Sequence, residues 1–218
     1  MEHLQEELEE LRGRLLEMSR LVESAIALSV QAVIRRDAGS ARLVMQNEAG
    51  VNQLELRIDD IAFRLMALQQ PMAADLRFVM AAIKINNDLE RMGDIAVNIA
   101  ENALALMEKP QPAPRIDIPH IAELAQRMIG ESIDAFVKRD AAAARKVLLS
   151  DDAVDALQER MYADIGKFIQ AESDRIHSGM QYLFIVHGLE RLADHATNIA
   201  EDVLFLVEGV DVRHNSAR

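Results

Sequence analysis

A thirteen-residue segment occurs twice in this chain, one hundred residues apart. It reads LERMGDIAVNIAE at residues 89–101 and LERLADHATNIAE at residues 189–201, with the same five polar residues at matching places. On an α-helix, four of these residues fall on one side, opposite the apolar positions. In the first copy they are Glu90, Asp94, Asn98 and Glu101. The chain therefore folds as two similar halves, and we expect each acidic stripe to face away from the core, towards water, a cation or a partner.

The composition is typical of helices packed on helices. Aromatic residues make up only 4% of the 218 residues, and the chain has nine Gly and five Pro. The abundant apolar residues are Leu, Ala, Ile, Val and Met, which favour helical cores over sheets. We therefore predict an all-α fold.

Helical periodicity predicts three helices in each half. In the first half, the first helix covers about 4–35 and ends at the helix-stopping residues 37–40. The second helix continues from there to about 68. The third has Pro71 in its first turn and ends near 108. In the second half they cover 121–138, 141–171 and 177–208. Each half should be an antiparallel three-helix bundle, and the long third helices should make the molecule elongated.

Three prolines between the halves, at positions 110, 112 and 114, prevent a continuous helix. They place a linker over residues 110–117. The first bundle then covers residues 1–109, the second covers 118–209, and a polar tail covers 210–218.

The charge balance excludes one large class of function. The chain has 24 Lys and Arg against 36 Asp and Glu, a net charge of −12, which argues against nucleic-acid binding because that binding depends on neutralising phosphates. Cations and basic protein surfaces are the expected partners. The chain has no cysteine, and we expect neither a signal peptide nor a membrane-inserted segment, so the predicted location is the cytoplasm.

The two acidic stripes suggest a metal site. Glu90 with Asp94, and Glu190 with Asp194, are four residues apart, so their carboxylates lie one above the other on a helix and can share a cation. Oxygen ligands suit Mg²⁺, Ca²⁺ or Mn²⁺, with iron and zinc as alternatives. The competing interpretation is a solvated charged face, because like charges at this spacing cost only about 0.2–0.5 kcal/mol.

Further acids on the second helices strengthen the metal interpretation. Glu48 and Asn52 in the first half correspond to Asp151 and Asp155 in the second. Glu55 and Glu159 follow one turn later, and the repeated segments end in Glu101 and Glu201. If the second and third helices pack antiparallel, these acids complete a cluster in each half. Asn52 leaves the first cluster one charge poorer, so we expect weaker metal binding there.

The residues give little support to catalysis. A ferritin-like di-iron oxidase needs inward-facing Glu-x-x-His pairs, and no histidine in this chain has Glu three residues before it. His195 in the second repeat corresponds to Ile95 in the first, which favours a partly buried packing role over a shared ligand or a phosphorelay. No phosphate-binding glycine loop or Ser-His-Asp arrangement is present.

The duplicated segments resemble the paired signatures of the PhoU family of phosphate-transport accessory proteins. The segments QPMAADLR at residues 70–77 and VEGVDVRH at 207–214 also match. The resemblance implies two tandem three-helix bundles, a homodimer, and repression of the phosphate-starvation response when phosphate is plentiful. It also implies an adaptor between the ATPase of the phosphate ABC transporter and a sensor histidine kinase.

Some members of that family carry multinuclear iron or zinc clusters on Glu/Asp-x-x-x-Asp motifs. In this chain the matching residues are Glu90 with Asp94, Glu190 with Asp194, and Asp151 with Asp155. Asn52 departs from the pattern, as does Ala193, where the signature usually has Gly. Two functions remain open: a non-enzymatic metal-binding adaptor, and a metal-buffering or metal-dependent enzyme on the same scaffold. The lack of a nucleophile or cofactor loop favours the adaptor.

Overall fold

The computed structural model describes residues 2–108 and 113–210, and all the regular structure in these ranges is helical. This confirms the all-α prediction. The six helices are α1 (Glu2–Arg35), α2 (Ala38–Arg64), α3 (Ala74–Glu108), α4 (Ile118–Lys138), α5 (Ala141–Ala171) and α6 (Ile176–Glu208). A π-helical turn, Leu65–Gln69, continues α2, and a 3₁₀ turn, Ser173–Arg175, precedes α6.

The helices form two three-helix bundles. The first consists of α1, α2 and α3 and the second of α4, α5 and α6, and all three helices of each bundle contact one another. The bundles join mainly through α3 and α6, and less extensively through α1 and α4. At about 1.5 Å per residue the third helices are roughly 50 Å long, and the molecule is elongated. The apolar side of the repeat is buried as predicted, at Leu89, Met92, Ala96 and Ile99.

Aspartate residues start three of the helices. The Asp37 carboxylate accepts a hydrogen bond from the Gly39 amide at 2.9 Å, and that of Asp140 accepts one from the Ala143 amide at 3.0 Å. Asp117 caps α4 in the same way. Each cap satisfies an amide that the first helical turn leaves unpaired, so the two bundles begin their second helices by the same device.

Two helix starts differ from the sequence-based prediction. Pro71 lies in the loop before α3, which begins at Ala74, because Gln70 and Ala73 adopt left-handed backbone conformations that interrupt the helix. α4 begins at Ile118, three residues earlier than predicted, since Asp117 caps it and Pro119 fits its first turn. The predicted linker residues 109–112 and tail residues 211–218 lie outside the described residues.

Partly buried polar side chains connect α3 to α6. The Lys84 ammonium lies 2.7 Å from an Asp202 oxygen. Farther along, the Asp88 carboxylate lies 2.8 Å from Nδ1 of His195 and accepts a hydrogen bond from the Asn198 amide at 3.2 Å. Residue numbers rise on one helix as they fall on the other, so the two third helices run antiparallel.

The packing of α5 against α6 can be tested at a glycine. A Cβ atom at Gly179 would overlap the side chain of Ile169, whereas one at Gly130 in α4 would meet nothing within 4 Å. Overpacking costs about 1–3 kcal/mol, and Gly to Ala in an open helix position gains up to about 1 kcal/mol. We expect Gly179→Ala to lower the free energy of unfolding in urea and Gly130→Ala to leave it equal or higher. Equal effects would contradict the close approach of α5 and α6.

Candidate metal-binding site

Four carboxylates come together between α5 and α6. Asp151 and Asp155 on α5 face Glu190 and Asp194 on α6, because the two helices run antiparallel and present these stripes to each other. The Glu190 side chain is only 17% exposed. Asp151 is half-buried, and Asp155 and Asp194 reach solvent at the rim. These four residues are among the candidate ligands named from the sequence, and their binding of a metal stays a prediction.

Burial and the crowding of like charges raise the pKa values of carboxyl groups in this cluster. Burial, followed by repulsion from Asp194 and Asp155, raises the pKa of Glu190 to about 7. Burial, followed by repulsion from Asp155, Asp194 and Glu190, raises the pKa of Asp151 to about 6. Partial burial and Asp155 also raise the pKa of Asp194. The protein therefore holds negative charge here at an electrostatic cost.

Two oxygens of the cluster lack hydrogen-bond partners within the described residues. They are Oδ1 of Asp151 and Oε2 of Glu190, both buried. Nδ1 of His187 lies 3.3 Å from that Glu190 oxygen, without hydrogen-bond geometry. Carboxylate oxygens without donors are the ligands that a hard cation requires, so the donor set fits a metal ion.

The cluster is not a finished coordination shell. In the described part of the chain, no three acidic or histidine side chains converge closely enough to hold a metal ion. Binding would therefore require the carboxylates to change rotamer. Moving the exposed side chains of Asp155 and Asp194 costs little free energy, because within the described residues no hydrogen bond holds either carboxylate in place.

The first bundle has a smaller version of the site. Burial raises the pKa of Glu90, and repulsion from Asp94 and, more weakly, from Glu55 adds to this rise. The positive charge of Arg91 opposes it. Nε of Arg91 lies 3.5 Å from a Glu90 oxygen. Asn52 is exposed where the second bundle has Asp155, so this cluster has less negative charge, as the sequence indicated.

Glu48 holds the position in α2 that Asp151 holds in α5, because Asn52 with Asp155 and Glu55 with Gln158 follow the same register. It lines a narrow cleft with Val51, Asn52 and Gly93, and Glu55 is the acid of α2 that raises the pKa of Glu90. In the second bundle the residue that contacts Glu190 one turn beyond Asp155 is Gln158, and Glu159 is exposed. The alignment of Glu55 with Glu159 was therefore wrong by one residue.

The acidic stripe does not face wholly outward. Glu90 and Glu190 are 19% and 17% exposed, because α2 and α5 pack beside them. Glu101 is exposed and Glu201 half-buried on their helices, and neither is among the groups that act most strongly on Glu90, Glu190 or Asp194. At these two glutamates the stripe therefore faces the neighbouring second helix as well as solvent.

His195 is half-buried, but it does more than pack. It lies against Asp88 in the α3–α6 interface, and it also opposes the rise in the pKa of Asp194. One side chain thus links the interface between the bundles to the acidic cluster.

The fold and site define a class: a helical protein of two repeated bundles, each with a carboxylate cluster between its second and third helices. Among the described helices, none is both long and apolar enough to cross a membrane. A PhoU domain model matches residues 15–103 and 118–203. The chain belongs to the PhoU family.

Known proteins resemble this chain along nearly its whole length. It is 37% identical to the PhoU homologue of Pseudomonas aeruginosa, named a phosphate-specific transport system accessory protein, over 95% of this chain and 86% of that protein. The Aquifex aeolicus homologue is 36% identical over 95% and 94%. The crystal structure of P. aeruginosa PhoU matches with a TM-score of 0.91 at 35% identity, over 94% of this chain and 99% of that one. That of the phosphate transport regulatory protein PhoU from Streptococcus pneumoniae matches with a TM-score of 0.86 at 31% identity, over 96% and 99%.

The raised pKa values predict how stability depends on pH. Between the unfolded pKa near 4 and the folded values of about 6 for Asp151 and 7 for Glu190, the native state holds more protons than the unfolded state. The contribution of these groups to stability is therefore favourable at low pH and lost as the pH rises through 7. We expect the double variant Asp151→Asn, Glu190→Gln to lose this dependence.

The measurement is the free energy of unfolding in urea at about pH 5.5 and about pH 8. The double variant should gain stability over the parent mainly at the higher pH. A parent and variant with the same pH dependence would show that the cluster is not strained by charge.

Proposed function

We propose that this protein regulates phosphate uptake as an accessory protein of a phosphate-specific transport system, and represses the phosphate-starvation response when phosphate is plentiful. The observation that carries this proposal is the 37% identity, over 95% of the chain, to a protein named as such an accessory protein. The fold, which matches the P. aeruginosa PhoU crystal structure with a TM-score of 0.91, supports the same role.

The role we propose is that of a non-enzymatic adaptor. Its partners would be the cytoplasmic ATPase of the phosphate ABC transporter and a sensor histidine kinase, and it would act in the cytoplasm as a homodimer. Long exposed helices and a net charge of −12 suit contacts with basic protein surfaces. The carboxylates face one another without an adjacent nucleophile or histidine pair, which supports binding over catalysis.

The acidic clusters would bind metal ions. The main site would be held by Asp151, Asp155, Glu190 and Asp194, and a weaker one by Glu90 and Asp94 with Glu55. A bound cation would supply positive charge where the carboxylates repel one another. Iron, zinc, manganese and magnesium all accept such oxygen ligands. Glu48, which lines a cleft with Asn52 and Gly93, would be a further ligand of the weaker site, whereas Glu101 and Glu201 would contribute little.

Deletion of the gene tests the regulatory role. If the protein represses the phosphate-starvation response, a deletion strain grown in ample phosphate should express alkaline phosphatase, or an equivalent reporter, at a high level. Complementation with the parent gene should restore repression. Normal repression in the deletion strain would contradict the proposal.

Matched double variants test the metal sites. Glu190→Gln with Asp194→Asn keeps size and helix but removes two charges, so bound metal, measured by mass spectrometry after equilibration with Mn²⁺ or Zn²⁺, should fall sharply. Stability without metal should not fall, because the lost charges repel each other.

The control is Glu90→Gln with Asp94→Asn, the same changes in the first bundle. It should reduce bound metal less, because that cluster has Asn52 in place of an acid. Unchanged metal content in both variants would show that the clusters are ordinary charged surfaces.

A further inference from the structure

A histidine lies beside the carboxylate cluster of the second bundle. Nδ1 of His187 is 3.3 Å from Oε2 of Glu190, and that oxygen is buried with no hydrogen-bond partner among the described residues. The same histidine opposes the rise in the pKa of Asp194, which burial and Asp155 cause. One imidazole therefore lies close to two of the carboxylates that we propose as metal ligands.

The three side chains share one face of α6. His187, Glu190 and Asp194 are separated by three and then four residues, so they fall within an arc of about 60° on the helix. Side chains at these spacings are neighbours on a helix surface. Asp151 and Asp155 of α5 face the same place. The second bundle thus brings one nitrogen donor to a group of oxygen donors.

The imidazole has room to turn towards the cluster. The His187 side chain is 53% exposed, and it borders an open cavity of about 340 Å³ between α6 and α3. Within the described residues, Glu190 is the group that pairs with the ring. The change of rotamer that metal binding requires of the carboxylates is therefore open to His187 as well.

The first bundle lacks this nitrogen donor. One hundred residues earlier, Asn87 takes the place of His187, and it is also exposed. No histidine is among the groups that shift the pKa of Glu90. The two clusters therefore differ in the kind of donor they offer as well as in charge, because the first offers oxygen alone.

We propose that His187 is a ligand of the second-bundle metal site and makes that site select zinc over manganese, magnesium and calcium. Imidazole nitrogen suits zinc, whereas sites of carboxylate and water suit the harder ions. The first-bundle site, with oxygen donors alone, has the weaker preference for zinc. This inference rests on the metal binding proposed above and names the ion that the main site takes.

An ion pair with Glu190 is the competing interpretation of His187, and it predicts the opposite effect of mutation. A histidine that only neutralises Glu190 competes with a cation, so its removal would leave zinc binding unchanged or make it tighter. A histidine that binds zinc contributes a bond that its removal destroys. The direction of the change in zinc affinity therefore separates the two interpretations.

Calorimetric titration of the full chain with Zn²⁺ and with Mn²⁺ tests the assignment in a matched pair of variants. His187→Asn gives the second bundle the residue of the first, and Asn87→His does the reverse. The titrations are made above the pKa of Glu190, which is about 7 without metal. His187→Asn should weaken zinc binding at least tenfold, since even the outer partners of metal ligands contribute about that much, and manganese binding by a smaller factor.

The reverse variant provides the gain of function. Asn87→His should strengthen zinc binding to the first bundle, measured with Glu190→Gln and Asp194→Asn also present so that the second-bundle site is removed. Zinc affinity that is unchanged or higher in His187→Asn, or that falls no more than manganese affinity, would overturn the proposal.

Nitrogen NMR of the six histidines detects the bond directly. The ring signals of His187 are identified by their absence in His187→Asn. Saturating zinc should displace the signal of one ring nitrogen of His187 in the parent protein, and Glu190→Gln with Asp194→Asn should abolish that displacement. Ring signals of His187 that zinc leaves in place would also overturn the assignment.

Failure of this inference differs from failure of the proposed metal sites. If zinc binding depends on Glu190 and Asp194 but not on His187, the sites stand and the histidine ligand is wrong. If the parent protein binds neither zinc nor manganese, the sites and the histidine ligand are both wrong. The deletion strain tests the regulatory role independently of these results.

Discussion

The antiparallel packing of α3 against α6 is the interaction on which the rest of this structure depends. Each third helix packs on both other helices of its own bundle and on its counterpart in the other bundle, so the two together fix the positions of all six helices. The interface is close, since a Cβ atom at Gly188 would lie 3.0 Å from the Ile99 side chain. It is also polar, through Lys84 with Asp202 and Asp88 with His195. Lys84 is 29% exposed, so removing one partner of these pairs costs less than the roughly 3–5 kcal/mol of a fully buried pair.

This scaffold can support an electrostatically unfavourable cluster. Asp151, Asp155, Glu190 and Asp194 repel one another, and burial adds to the cost for Glu190 and Asp151. The apolar contacts between α5 and α6 hold these carboxylates together regardless, because the helices are fixed elsewhere along their length. A bound cation would offset the repulsion among these carboxylates, so the cluster is a suitable binding site for a metal ion. The first bundle carries less strain because Asn52 has no charge and Arg91 pairs with Glu90.

The fold could be predicted well from the sequence because the signals that define helices lie within a few residues of one another. Periodicity placed α5 at its observed limits, 141–171, and caps such as Asp37 and Asp140 mark helix starts by hydrogen bonds within one turn. The site was predicted less completely, since it depends on how neighbouring helices are rotated. Glu48 lines a cleft beside Asn52, Glu55 acts on Glu90, and Gln158 contacts Glu190.

Direct measurement of the Glu190 pKa tests most sharply whether the second-bundle cluster is a strained cation site. The side-chain carboxyl can be followed by ¹³C NMR as pH is varied, first without metal and then with excess Zn²⁺, which is diamagnetic. The structure predicts titration near pH 7 without metal and at a much lower pH with it. Titration near the ordinary value of 4.5, unaffected by zinc, would contradict a strained metal-binding cluster at this position.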